Sequence, residues 1–237
     1  LIKGGLFTYV TLLYHDAVSS AASLFPSVGN YSSVGLTFDD ARITPPVNIT
    51  PLASDGFSIQ ATTDGLGCPE SGGAGLTWAD VGTWGVAGGV ASCSALSGGL
   101  GIRYVTTPTG NAIIDISPTR SAGNAGGTAR YVDANNYIRF YYDGTNAVCV
   151  EVVAGVPTTL RTAAATYSAG AVLRLILESA TSGRIFYNNA EAGAVFTITS
   201  GTSGNHGVYT TDTGNTFDNF VVWARGTEGQ YEILSAQ

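Results

Sequence analysis

The chain has 237 residues, 44% of them apolar, which is enough for one large β domain or two modest ones and excludes disorder as the native state. Only 11% of residues are charged, 32 are glycine, and the net charge of −7 includes ten Lys and Arg that nowhere cluster. Neither nucleic-acid binding nor membrane insertion is expected, because there is no basic footprint and no run approaching the ~20 apolar residues of a bilayer span.

Residues 1–52 differ in texture from the rest. "LFTYVTLLY" is β-branched and aromatic, "DAVSSAASLF" suits a short helical stretch, and the prolines of "TPPVNITP" remove backbone donors and favour extended chain. This segment reads as an N-terminal extended arm. Its apolar surface suits assembly, with strand addition completing the unpaired edge of a neighbour, either a second copy in a homo-oligomer or another subunit. The opening "LIKGGLFTYVTLLYHD" carries one lysine and no clear small-residue cleavage site, so it makes no convincing signal peptide.

From residue 53 to 225, strand-like runs recur between Gly, Asp, Asn and Ser, ahead of a short tail at 226–237. They include "GFSIQA", "GIRYVTT", "NAIIDISP", "NYIRFYYDG", "AVCVEVVAG", "AVLRLILES", "GRIFYNN" and "DNFVVWA". About a dozen short strands without intervening amphipathic helices predict an all-β, antiparallel two-sheet sandwich. In "NYIRFYYDGTNAVCVEVV", a three-residue loop Gly144-Thr145-Asn146 would pair Tyr142 with Val148 and Phe140 with Val150, which keeps both greasier sets on one face. Arg139 would then face Glu151. Leu173, Leu175 and Leu177 form a core face, with Arg174 and Glu178 outward. On this reading Tyr137, Arg139, Tyr141 and Arg174 share a polar outer face and are the glycan-binding candidates, with an ordinary solvated face as the alternative. Trp78 and Trp84 suit a β-sandwich core better than a sugar platform. Three cysteines, Cys68, Cys93 and Cys149, read as small buried hydrophobes, a Cys68–Cys93 bridge being the alternative.

The order of "DGFSIQATTDGLG", "LTWADVGTWGVAGGVAS", "GGTARYVDANNYIRFYYDG", "VVAGVPTTL", "YSAGAVLRLILES", "FYNNAEAG" and "GVYTTDTGNTFDNFVVWA" resembles the concanavalin A-like (laminin-G/lectin/glucanase) jelly rolls. The likeness is to versions found in bacteriophage structural proteins and secreted bacterial proteins, and it covers about residues 55 to 225. Arg130, Asp133, Asn136 and Tyr137 match an Arg ahead of a D-x-x-N-Y step, and Asp218, Asn219 and Phe220 match the Asp-Asn-Phe of a near-terminal strand. The resemblance implies a structural calcium at Asp218, with Asp55, Asp212 and Asn215 as further oxygen donors. The alternative is that Asp218 accepts backbone N–H bonds in its own turn. No cofactor is otherwise required.

Glucanases of that superfamily use an E-x-D-x-x-E strand, whereas the glutamates here are scattered, so catalysis would need an acid pair assembled from separate strands. His15 and His206 do not suggest a zinc site. The sequence therefore reads as a non-enzymatic virion structural or adhesion protein, a phage capsid-decoration or tail component whose lectin-like jelly roll binds a cell-surface glycan. The alternative is a secreted bacterial carbohydrate-binding module, with a glycoside hydrolase less favoured. Either places it on a virion or outside the cell.

Overall fold

The computed structural model describes residues 51–58, 69–72 and 76–225. All of the expected arm but its last two residues, the 226–237 tail and Cys68 lie outside these. Among the described residues there are seventeen strands and no helix. In chain order they are β1 (Ala53–Asp55), β2 (Ser71–Gly72), β3 (Ala79–Val81), β4 (Thr83–Ala87), β5 (Val90–Ala95), β6 (Gly101–Thr106), β7 (Ala112–Thr119), β8 (Ala125–Asp133) and β9 (Asn136–Tyr142). They continue with β10 (Asn146–Val153), β11 (Val156–Ala164), β12 (Leu173–Leu177), β13 (Ser182–Tyr187), β14 (Ala190–Glu191), β15 (Phe196–Thr197), β16 (Asn205–Thr210) and β17 (Thr216–Ala224).

Two antiparallel sheets form the sandwich. One has seven strands in the order β11-β10-β9-β8-β16-β6-β3. The other has ten, running β14-β13-β12-β7-β17-β1-β2, with β15 added to β13, β5 to β17 and β4 to β5. The core lies between the sheets, with Ile114, Ile116, Leu173, Leu175, Leu177, Phe217, Phe220 and Val222 on one side and Val105, Ile138, Phe140, Cys149 and Val208 on the other. The alternation of β12 follows its sequence: the three leucines are buried, each contributing about 2 kcal/mol of apolar burial. Arg174 and Glu178 point away, as expected. Cys93 and Cys149 are buried free thiols, and Trp78 and Trp84 belong to the core.

The β9–β10 hairpin corrects the expected register by one residue. Tyr142 pairs with Ala147, Phe140 with Cys149, Arg139 with Val150, and Ile138 with Glu151. The loop has two central residues, Gly144 and Thr145, closed by Asp143 N–H donating to the Asn146 carbonyl at 3.0 Å. Two local features select it. Gly144 sits at φ +116°, as the first central residue of such a turn can require, and the Asp143 carboxylate accepts from the backbone N–H groups of Thr145 and Asn146 at 2.8 and 2.7 Å. The slip sends Val148, Val150 and Val152 to the outer face and small Ala147 and Cys149 inward against Phe140. The Arg139–Glu151 cross-strand pair is therefore not formed.

Glu151 instead faces inward and is buried, accepting hydrogen bonds from Thr199 N–H (2.7 Å), Thr199 Oγ1 (2.8 Å) and Ser200 N–H. Burial raises its pKa, but the donors of Ser200 and Thr199 outweigh it and hold the carboxylate below its usual range. Arg130 is a second internal tie. From a left-handed position at φ +50° its buried guanidinium donates to the carbonyls of Gly110, Ala180 and Ser179 and to Asn111 Oδ1 at 2.6 to 3.1 Å. One side chain from β8 thereby fastens the β6–β7 and β12–β13 connections.

Candidate functional site

Three of the four residues expected to bind a glycan do share a face, but not an open polar one. Tyr137, Arg139 and Tyr141 lie on the outer side of the seven-stranded sheet, where Tyr209 of β16 joins them. Arg139 Nη1 donates to the Tyr209 hydroxyl at 3.1 Å and lies 3.5 Å from that of Tyr137, and its guanidinium sits 5.6 and 5.9 Å from the rings of Tyr209 and Tyr141. With Val148, Val150, Val152, Ile102 and Tyr131 these tyrosines make a second apolar cluster, in which Tyr137, Tyr141 and Tyr209 are 2%, 9% and 0% exposed. The expectation of a solvent-facing surface is corrected: the valines that the register sends to this side turn it apolar, and the rings are closed to a pyranose. Arg174 is on the other sheet. It makes a two-pronged ion pair with Asp115 of the adjacent β7, at 2.7 and 2.9 Å.

The four residues expected around calcium are each engaged by protein donors. Asp218 Oδ1 accepts the N–H of Asn219 at 2.7 Å, beside a bulge where Asn219 takes φ +52°. Asp55 faces the core, accepting from Trp78 Nε1 and Phe57 N–H at 2.7 Å each. Asp212 Oδ1 accepts from Gly214 N–H. Asn215, fully buried, spends its oxygen on Ser121 and Ala122 N–H and its nitrogen on Ala122, Asn124 and Thr210. Among the described residues no group of three or more His, Cys, Asp or Glu is placed to hold a metal ion. These four residues do not fit a hard-cation site, since they converge on turns and core rather than on one point.

Carboxylates do meet across strands, as ion-pair partners. Glu178 and Glu191 both contact Arg184, at 2.7 and 3.0 Å. Asp80 lies 3.8 Å from buried Arg103, whose guanidinium rests 5.1 Å from the Trp78 ring. Burial pushes the Asp80 carboxyl up to about 6, with the Arg103 charge pulling the other way.

A tyrosine stack with one exposed ring lies at the end of the sandwich where β7 leads to β8, β9 to β10 and β11 to β12. Tyr187 and Tyr142 stack at 5.1 Å and 15°, and Tyr142 and Tyr167 at 5.3 Å and 27°, a ladder rising from the core to a residue that is 38% exposed. The loop carrying Tyr167 is pinned: Tyr142 Oη donates to the Ala165 carbonyl, and Tyr187 Oη both accepts from Ser168 N–H and donates to its carbonyl. The Tyr167 hydroxyl in turn accepts from Arg120 N–H at 2.8 Å. Sequence reasoning missed this pair. Tyr167 and Arg120 stand alone in the small-residue stretches "RTAAATYSAGA" and "SPTRSAGNAGG", where no periodicity marks a face. An isolated aromatic and an isolated cation in otherwise featureless loops were the available signal.

No protein-family model matches the chain, and no curated protein matches it. Solved structures do. A structure of botulinum neurotoxin type C, whose cell entry depends on interaction with two ganglioside molecules, matches 78% of this chain and 50% of its own at 10% identity, with a TM-score of 0.50. A carbohydrate-binding module from Bacillus subtilis matches 62% of this chain and 95% of its own at 15% identity, TM-score 0.47. Domain 4 of an extracellular arabinanase from Geobacillus stearothermophilus, in complex with arabinotriose, matches 80% and 99% at 12% identity, TM-score 0.48. At such identities the likeness is one of fold, and the chain spans half the length of the toxin chain it matches.

Proposed function

We propose that the jelly roll is a non-catalytic glycan-binding domain and that its site is the rim formed by Tyr167 and Arg120. The observation that carries this reading is the Tyr187–Tyr142–Tyr167 stack, which presents an immobilised ring at the surface. A flat ring held by its neighbours offers a pyranose a stacking face at little entropic cost. A ganglioside-dependent toxin of the same fold makes glycans the first ligand class to try. Glu178 and Glu191, which meet at Arg184, are both spent on its guanidinium, which supports binding over hydrolysis at that pair.

The test is a glycan array on the full chain, followed by calorimetry with the best binder for wild type and Tyr167→Ala. Binding that falls at least tenfold in a variant of unchanged melting temperature supports the site. Wild-type binding unaffected by the substitution removes it. The setting we propose is extracellular; no helix among the described residues is long and apolar enough to cross a membrane. A virion subunit assembled through residues 1–52 is the second setting for the same site. Light scattering on the full chain beside a version starting at Asp55 distinguishes them, since the virion setting requires an oligomer that truncation dissociates.

A further inference from the structure

The rim has a polarity as well as a ring, and Arg120 supplies it. Arg120 Nε donates to the Gly123 carbonyl at 2.6 Å. The residue's own N–H and carbonyl are both held by the Tyr167 hydroxyl, at 2.8 and 3.4 Å. The guanidinium lies over Gly144, where an added Cβ would come within 3.0 to 3.1 Å of its Cζ, Nη1 and Nη2. Backbone, Nε and packing surface are thus fixed, while neither Nη has a hydrogen bond or ion pair among the described residues and neither is buried. The carboxylates of the same rim are occupied elsewhere: Asp143 accepts from Thr145 and Asn146, and Asp212 from Gly214.

A planar fork with two oriented N–H groups is the geometry that takes a carboxylate in two parallel hydrogen bonds, and such charge-assisted bonds are about twice as strong as neutral ones. Beside it stands the exposed ring of Tyr167. We propose that this rim selects sugars carrying a carboxylate, with the pyranose on Tyr167 and the acid group on the Nη pair of Arg120. The inference rests on the glycan reading above and adds the ligand class.

The experiment measures affinities of the full chain for two matched probe pairs: tetragalacturonate against its methyl ester, and sialyllactose against lactose. The expected result is a preference of about tenfold or more for the acidic member of at least one pair, shrinking as salt is raised. Which pair responds separates a plant-type uronic acid from a cell-surface sialic acid, and either supports the inference. Arg120→Gln abolishes the preference between acidic and neutral members, and Arg120→Lys restores only part of it because an ammonium lacks the fork. Equal binding of acidic and neutral members overturns the proposal and leaves the glycan reading standing. The same holds if the preference survives in Arg120→Gln. The probe comparison needs no variant, so it decides even where Arg120→Gln does not fold. Failure of every sugar to bind overturns the glycan reading and this inference together.

Discussion

Asp55 and Trp78, from β1 and the segment before β3, meet inside the sandwich, where the indole N–H donates to the carboxylate at 2.7 Å. The same carboxylate accepts the Phe57 N–H, so it satisfies two buried donors at once. Burial pushes its pKa up, and the Trp78 and Phe57 hydrogen bonds pull it back. Asp55→Ala strands both donors and is expected to lower unfolding free energy by about 3 kcal/mol, with Asp55→Asn costing less because its carbonyl oxygen still accepts. Urea denaturation checks this. A loss below about 1 kcal/mol for Asp55→Ala would show the pair to be dispensable.

His206 gives the pH dependence a defined sign. Its Nε2 donates to the Thr109 carbonyl at 3.0 Å, and Nδ1 is buried without a hydrogen-bond partner among the described residues. Burial lowers its pKa from 6.5 to about 4, partly opposed by the Thr109 bond. As pH falls from 6.5 to 4, the unfolded chain takes up a proton that the folded chain refuses, and stability drops by about 3 kcal/mol from this residue alone. Asp80, with its pKa raised from 3.8 to about 6, acts in the opposite direction between those values. The readout is therefore the difference between wild type and His206→Gln: the gap should close on acidification through pH 6.5 to 4. A pH-independent gap refutes the assignment.

Arg130 ties two connections with one guanidinium, donating to Gly110, Asn111, Ser179 and Ala180. Arg130→Lys keeps the charge and loses the fork, so it is expected to cost about 3 kcal/mol, comparable to Arg130→Ala. Hydrogen exchange should show the losses concentrated at residues 107–111 and 178–182. Uniform loss across both sheets would argue against a local clamp.

Calcium is expected to leave stability unchanged. With Asp55, Asp212, Asn215 and Asp218 each bound to protein donors, adding EDTA or calcium should move the melting temperature by less than about 1 °C. A rise of several degrees with calcium, together with metal detected by elemental analysis, would reinstate the ion that the jelly-roll resemblance implies at Asp218.

Fold class was legible because its signals are local. Leu173, Leu175 and Leu177 alternate with Arg174 and Ile176, and all three turn inward. Gly, Asn and Asp at the turns need no distant partner to favour a bend. β10 was harder, since Val148, Val150 and Val152 form one apolar face and Ala147 and Cys149 another, and both are buried. A strand greasy on both sides lets hydrophobicity fit either register, and the Gly144 and Asp143 turn settles the choice.

Alternation of side chains every second residue, with breaks at turn formers, by itself determined an antiparallel sandwich, because that pattern is set by neighbours along the chain. Tertiary structure alone decided the destinations of individual polar groups. Asp55 reached Trp78, Glu151 reached Thr199 and Ser200, Arg174 reached Asp115 and Tyr167 reached Tyr142 through sheet order and crossovers. A buried charge or an exposed ring takes its meaning from what packs beside it, and those neighbours lie 23 to 59 residues away in sequence.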